Sequence, residues 1–201
     1  MPSDMKFDEI KKHLSRFTIG IAGAGGLGSN CAVALARSGI GRLVIADNDK
    51  VESGNLNRQF FFTVQTGMKK TEALKDNLYR VNPLTRVEAH YITLDKYNIP
   101  DIFRHCDIIV EAFDRSDMKV MLAESVIGEW PGRPLIMGSG LAGYGDSNSL
   151  HEKKLSETLI ICGDEKTEVS DDLPPMAPRV GIVANMQANA VVELLMKMKK
   201  E

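Results

Sequence analysis

Short apolar runs alternate with stretches in which apolar positions recur every three or four residues, so the chain reads as alternating strands and helices. Met5, Ile10 and Leu14, set among Asp8, Glu9, Lys11 and Lys12, predict an amphipathic helix over 5–16. Thr18–Ala22 is a β-rich apolar run, and Leu27, Cys31, Ala34 and Leu35 predict a helix over 27–38. Gly39 and Gly41 stop that helix, and a second apolar run over 43–46 ends on Asp47. Residues 55–67 are irregular, polar and aromatic; residues 69–81 read as a helix closed by Asn82-Pro83, and 86–92 alternate as a strand. A short helix over 97–105 leads into 106–112, an almost continuous apolar run of the kind buried on both faces of a parallel sheet. A helix over 117–129 and a strand over 135–138 follow, then a hairpin over 150–162 with its return strand at 158–162. A glycine-rich segment, 138–149, precedes that hairpin. An acidic, proline-bearing loop over 163–178 follows it, and loops of that length are usually functional or mobile. The last element is a long helix over 177–199 whose small face (Ala184, Ala188, Ala190) permits close packing.

This alternation predicts an α/β fold: a doubly wound, mostly parallel sheet with a Rossmann-like nucleotide-binding unit and antiparallel strands near the C-terminus. At 201 residues one domain is expected, with a helix at 5–16, a nucleotide-binding core at 17–140, and hairpin, loop and final helix at 141–201. Composition is ordinary for a globular chain, at 43% apolar and 26% charged residues. A net charge of −2 leaves no basic footprint, so neither nucleic acid nor an anionic membrane is expected as main partner. No apolar run approaches the roughly 20 residues needed to span a bilayer. Residues 1–17 carry acids and no apolar stretch, so no secretory signal is expected there. Cys31, Cys106 and Cys162 form no C-x-x-C pair, which suits a reducing, cytoplasmic setting.

The chemistry concentrates in the opening unit. Gly23, Gly25, Gly26 and Gly28 follow the first strand at once, open a helix, and are followed roughly 20 residues later by Asp47. Glycines let the backbone approach phosphate, a helix N-terminus offers unpaired N–H groups, and Asp47 would stand where a ribose hydroxyl can be bound. A tight turn needs glycines for steric reasons alone, so the turn by itself does not say which nucleotide. Asp49, Asn55, Asn57, Arg58 and Gln59 then crowd together, followed by Gly67-Met68-Lys69-Lys70 and by Glu111-Ala112-Phe113-Asp114. Phe60, Phe61 and Phe62 read either as core or as a wall for a base.

Carried on these motifs, the chain resembles the ThiF/MoeB/HesA family, adenylating enzymes related to ubiquitin-activating enzymes, from about Phe17 to the C-terminal helix. It is most similar to the short ThiF-type members that act on the sulfur carrier ThiS. The resemblance implies an ATP- and Mg²⁺-dependent adenylyltransferase. Its substrate is the C-terminal glycine of a small ubiquitin-like sulfur carrier, in thiamine thiazole synthesis. It also implies a homodimer. Arg58 and Lys70 match the family's N-x-x-R-Q and G-x-x-K patterns and would face the phosphates, with Asn55 in support. Asp47 matches the ribose-binding acid and Asp114 the magnesium-binding acid. Asp114 also reads as an N-cap for the helix that follows it, and Asp49 either helps the metal or caps a turn. Three isolated cysteines cannot supply the four-cysteine zinc site of many relatives, so no zinc is expected. Cys162 is the one cysteine late enough for a thioester role, yet it closes a predicted strand and reads as a structural thiol. Arg16 lies near where a partner-subunit arginine is used in the family, but its surroundings do not match and it is left unassigned. Three rivals remain. They are a molybdopterin-carrier or tRNA-modifying relative, a nicotinamide-dependent oxidoreductase sharing the glycine turn, and a non-catalytic nucleotide-binding scaffold.

Overall fold

The computed structural model describes residues 5–199. Its strands are β1 (Thr18–Ala22), β2 (Arg42–Asp47), β3 (Arg86–Tyr91), β4 (Ile108–Glu111), β5 (Leu135–Gly138), β6 (His151–Lys154) and β7 (Leu159–Gly163). Its α-helices are α1 (Phe7–Leu14), α2 (Gly26–Ser38), α3 (Lys70–Val81), α4 (Ile99–Phe103), α5 (Ser116–Glu129) and α6 (Ala177–Lys197). The strands make one sheet in the order β3-β2-β1-β4-β5-β7-β6. All neighbours are parallel except β6 and β7. The hairpin expected at the C-terminal end therefore forms, and within it only β6 runs against the sheet; β7 joins β5 in parallel.

Alternation along the strands places side chains on two faces. Ile19, Ile21, Leu43, Ile45, Ile108 and Val110 point into a core with Leu35, Leu74, Val183 and Val191 from α2, α3 and α6. Val44, Ala46 and Ile109 point the other way, to Ile99, Phe103, Leu122 and Val126 on α4 and α5. Helices thus cover both faces, as apolar strands in a parallel sheet require. Helix α2 ends where expected, because Gly39 adopts φ 96 and its N–H reaches the carbonyls of Ala36 and Leu35. The terminal helices are shorter than expected: α1 is confined to 7–14 and α6 stops at 197. Among the described residues no helix is long and apolar enough to cross a membrane.

Strand order reverses between β1 and β4, and crevices at such a switch point receive ligands beyond the carboxyl ends of the strands. The glycine turn leaves β1 there, and the Asp114 segment leaves β4 beside it. At the far end of the sheet Arg179, from the first turn of α6, ties down the glycine-rich segment. Its guanidinium donates to the carbonyl of Gly145 at 2.7 Å and to the Ser149 hydroxyl at 3.2 Å, and pairs with the buried Asp164. Burial alone would raise the Asp164 carboxyl. Donation from the backbone of Thr167 and Lys166, the Thr167 hydroxyl and Arg179 outweighs it and brings the group down to about 2. The acidic loop is thus anchored by one of its own acids.

Candidate active site

The glycine turn is shaped by contact. Gly23 has φ +101, and a Cβ there would lie 2.7 Å from the Ala112 carbonyl oxygen. A Cβ on Gly28 would fall 1.9 Å from the Gly23 oxygen, so only glycine lets α2 start this close to the turn. On Gly26 it would meet Val180 of α6 at 2.9 Å, with the Arg58 stem at 3.6 Å. Gly25 differs: its nearest neighbour would be Gln59 Nε2 at 3.8 Å. That stretch of backbone is open to a ligand.

Asp47 ends β2 and is tied to this turn. Its Oδ2 accepts the Ala24 N–H at 2.6 Å and its Oδ1 the Asp49 N–H at 2.7 Å. Burial pushes its carboxyl upward, against the pull of those two donors. Each oxygen keeps acceptor capacity for a ribose hydroxyl, so Asp47 would serve the turn and the sugar together.

Lys70, the first residue of α3, is only 5% exposed, a burial that lysine tolerates when paired. Its Nζ donates to Asp49 Oδ2 at 2.7 Å, and its backbone N–H donates to the Asp49 carbonyl at 2.9 Å. Asp49 is thus the counter-ion that holds a buried ammonium at the crevice. Arg58 lies over Gly26, half-buried, with Nη1 on Asn57 Oδ1 at 2.8 Å and on the Gly54 carbonyl at 3.3 Å. Asn55 Oδ1 accepts the Glu52 N–H at 3.2 Å and shapes the single turn that presents Arg58.

Sequence reasoning missed the staple behind Arg58. Ser29 Oγ donates to the Gly25 carbonyl at 2.6 Å and accepts the Phe60 N–H at 3.0 Å. Asn30 Nδ2 donates to the carbonyls of Gly26 and Arg58 at 2.7 and 2.9 Å. Two polar residues near the start of a helix whose middle, Cys31 to Ala36, is small and apolar were the available signal. Phe61 enters the core and Phe62 stays 50% exposed.

Asp114 is exposed, and among the described residues it takes part in no hydrogen bond. The N-cap of α5 is Arg115, with no side-chain cap, so the capping alternative for Asp114 is not adopted. Among the described residues no group of three or more His, Cys, Asp or Glu is arranged to hold a metal. An exposed carboxylate beside a glycine turn is nevertheless of the kind that suits Mg²⁺, which takes one or two carboxylates and completes its shell with other oxygens and water. Cys162 lies within β7, fully buried, and burial pushes its thiol up to about 12. Such a thiol stays protonated and is a poor nucleophile. Arg16 is exposed in the turn between α1 and β1.

The model of the ThiF family matches residues 3–201. The sulfur carrier protein adenylyltransferase of Thermus thermophilus is 33% identical over 132 residues, 65% of this chain and 48% of that protein. The adenylyltransferase and sulfurtransferase UBA4 of Kluyveromyces lactis is 33% identical over 129 residues, 64% of this chain and 29% of that protein. The chain therefore spans less than half the length of either relative. Among solved structures, the E. coli tRNA N6-threonylcarbamoyladenosine dehydratase in complex with AMP superposes with a TM-score of 0.85 at 19% identity. That match covers 94% of this chain and 90% of that one, and establishes a shared fold.

Proposed function

The chain belongs to the ThiF family, and on that premise we propose that it adenylates the C-terminal glycine carboxylate of a small ubiquitin-like sulfur carrier, a ThiS-like protein. One observation carries the reading. A guanidinium, Arg58, lies over Gly26, and a buried ammonium, Lys70, stands beside Asp47 and Asp49, so two cations flank the glycine turn where a triphosphate would need charge compensation. The Thermus relative's name points to the same substrate class.

In the reaction a carboxylate oxygen of the carrier attacks the α-phosphorus of ATP, the bond to the β-phosphate oxygen breaks, and pyrophosphate leaves with both electrons. The attacking carboxylate, with an ordinary pKa of about 3.5, is already ionised at neutral pH. No general base is required. The obstacle is charge: an anion approaches a polyanion, and negative charge grows on the leaving oxygens. Open N–H groups at Gly25 and the start of α2, Lys70 and Arg58 would bind and orient the triphosphate, and Asp47 the ribose. Mg²⁺, held through Asp114 when bound, would neutralise phosphate charge. The family resemblance supports a homodimer as the working form and a place in thiamine thiazole synthesis, and the three isolated cysteines suit the cytoplasm.

Titration calorimetry and isotope exchange test this. MgATP should bind more tightly than NAD(H) or NADP(H). ATP–pyrophosphate exchange should require a carrier ending in a free glycine carboxylate and should vanish when that end is amidated. Tight NAD binding with none for ATP would overturn the reading in favour of an oxidoreductase. ATP binding without exchange, tested with several carriers, would favour a scaffold.

Cys162→Ala should leave carrier-dependent exchange within about twofold of wild type, since a buried thiol acts as a small hydrophobe and the acyl adenylate forms without one. Loss of exchange in a folded Cys162→Ala protein would give that thiol a chemical role.

A further inference from the structure

Glu111 is the last residue of β4 and is 0% exposed, although its strand ends at the crevice. Both carboxylate oxygens are occupied. Oε1 accepts the Phe113 N–H at 2.6 Å and Lys119 Nζ at 2.8 Å. Oε2 accepts Lys119 Nζ at 2.8 Å and the Gly138 N–H at 3.3 Å. Lys119, in the first turns of α5, also donates to the Gly138 carbonyl at 2.8 Å. The Glu111 carbonyl in turn accepts Gln187 Nε2 of α6 at 2.8 Å. One residue thus joins the segment leaving β4, helix α5, the end of β5 and helix α6.

The adenylation chemistry uses none of these groups directly. As a stabiliser a buried ion pair is poor, because desolvating both charges offsets much of their attraction. Its location suggests another purpose. Asp114 takes no hydrogen bond among the described residues and feels only the charge of the exposed Arg115 next to it, so no bonded partner fixes its carboxylate and its backbone does the placing. That backbone is held on one side at Phe113 by Glu111, and on the other by α5, which Lys119 pins to the same carboxylate. Between β4 and Phe113, Ala112 presses on the glycine turn. Its oxygen would lie 2.7 Å from a Cβ on Gly23, and its own Cβ 3.2 Å from one on Gly28.

We infer that the Glu111–Lys119 pair is a positioning device that sets the Asp114 carboxylate against the glycine turn, so that a divalent cation bound with ATP meets it. The inference rests on the adenylation reading, in which Asp114 receives the metal. Glu111 and Lys119 are positioning residues and touch no substrate.

The test uses Mn²⁺ as a paramagnetic stand-in for Mg²⁺, titrated by electron paramagnetic resonance against the full chain holding a non-hydrolysable ATP analogue. In the double variant Glu111→Gln/Lys119→Met both charges go and the shape stays, a change that buried pairs often tolerate. The Mn²⁺ dissociation constant should rise about tenfold or more, the scale seen when the partners of metal-binding groups are removed. Affinity for the analogue without metal should change less than about twofold on the same grounds, and thermal unfolding should remain cooperative. Glu111→Asp keeps the charge pair but shortens the bracket by one methylene, and serves if the double variant fails to fold. It too should weaken Mn²⁺ severalfold while leaving metal-free analogue binding intact. Wild-type Mn²⁺ affinity in either folded variant would overturn the inference and leave the adenylation reading standing. A wild-type protein that binds the analogue but gains no Mn²⁺ site would overturn both.

Discussion

Arg58→Ala and Lys70→Ala should each lower the turnover of carrier-dependent ATP–pyrophosphate exchange by roughly a hundredfold or more, the usual scale for losing one preorganised charge-stabilising group. ATP affinity should fall much less, because charge on the leaving oxygens is greatest in the transition state. Both variants should fold. Lys70→Ala leaves Asp49 without its ammonium, but the Asp49 side chain is 60% exposed and can turn to water. Arg58 holds its segment through its backbone, by Asn30 on its carbonyl, and that contact survives truncation of the side chain. Steady-state exchange with ATP varied at saturating carrier separates turnover from affinity. Near-normal turnover in both folded variants would remove the proposed roles and leave a nucleotide-binding scaffold.

The second large effect separates the two jobs of the glycine turn. Gly28→Ala drives a Cβ to 1.9 Å from the Gly23 oxygen, a backbone atom that cannot swing aside. Overpacking of this kind costs about 1–3 kcal/mol, and at this chain length each kcal/mol lowers the melting temperature by about 2–4 °C. The displaced turn should also lose most of its ATP affinity. Gly25→Ala meets nothing closer than 3.8 Å, so its melting temperature should fall much less than that of Gly28→Ala. Its ATP affinity should nevertheless fall about tenfold or more, because a methyl group would stand where phosphate approaches the backbone. Scanning calorimetry and titration with MgATP on the two variants make the comparison. Undiminished ATP binding by Gly25→Ala would mean that phosphate does not approach this turn.

What could be read in advance was local. The β1–turn–α2–β2 unit was legible because each signal lies within a few residues of the next: an apolar run, glycines, a 3.6-residue period, a glycine stop. The hairpin was legible for the same reason, but its apolar pattern does not say which strand it joins, so the parallel pairing of β7 with β5 stayed hidden. The site residues found through motifs carried their chemistry but not their partners. That Lys70 is buried, that Asp49 is its counter-ion, and that Asp47 spends both oxygens on backbone N–H groups all depend on residues brought together from separate elements. Glu111 and Lys119 show the limit most plainly. In the sequence one interrupts an apolar run and the other is one more charge on a helix, and only the fold makes them a pair.

Helix α6 backs the glycine turn through Val180, holds Glu111 through Gln187 and anchors the glycine-rich segment through Arg179, yet it follows every strand in the chain. A ribosome releases the residues of the turn early and those of α6 late, and domains fold as their parts emerge. While α6 is still inside the exit tunnel, one apolar face of the sheet lacks a helix of its cover and the turn has no backing at Gly26. The nascent chain at that stage exposes the apolar surface that Val183 and Val191 later cover. Docking of α6 therefore completes the sheet's cover and the backing of the turn in one late step.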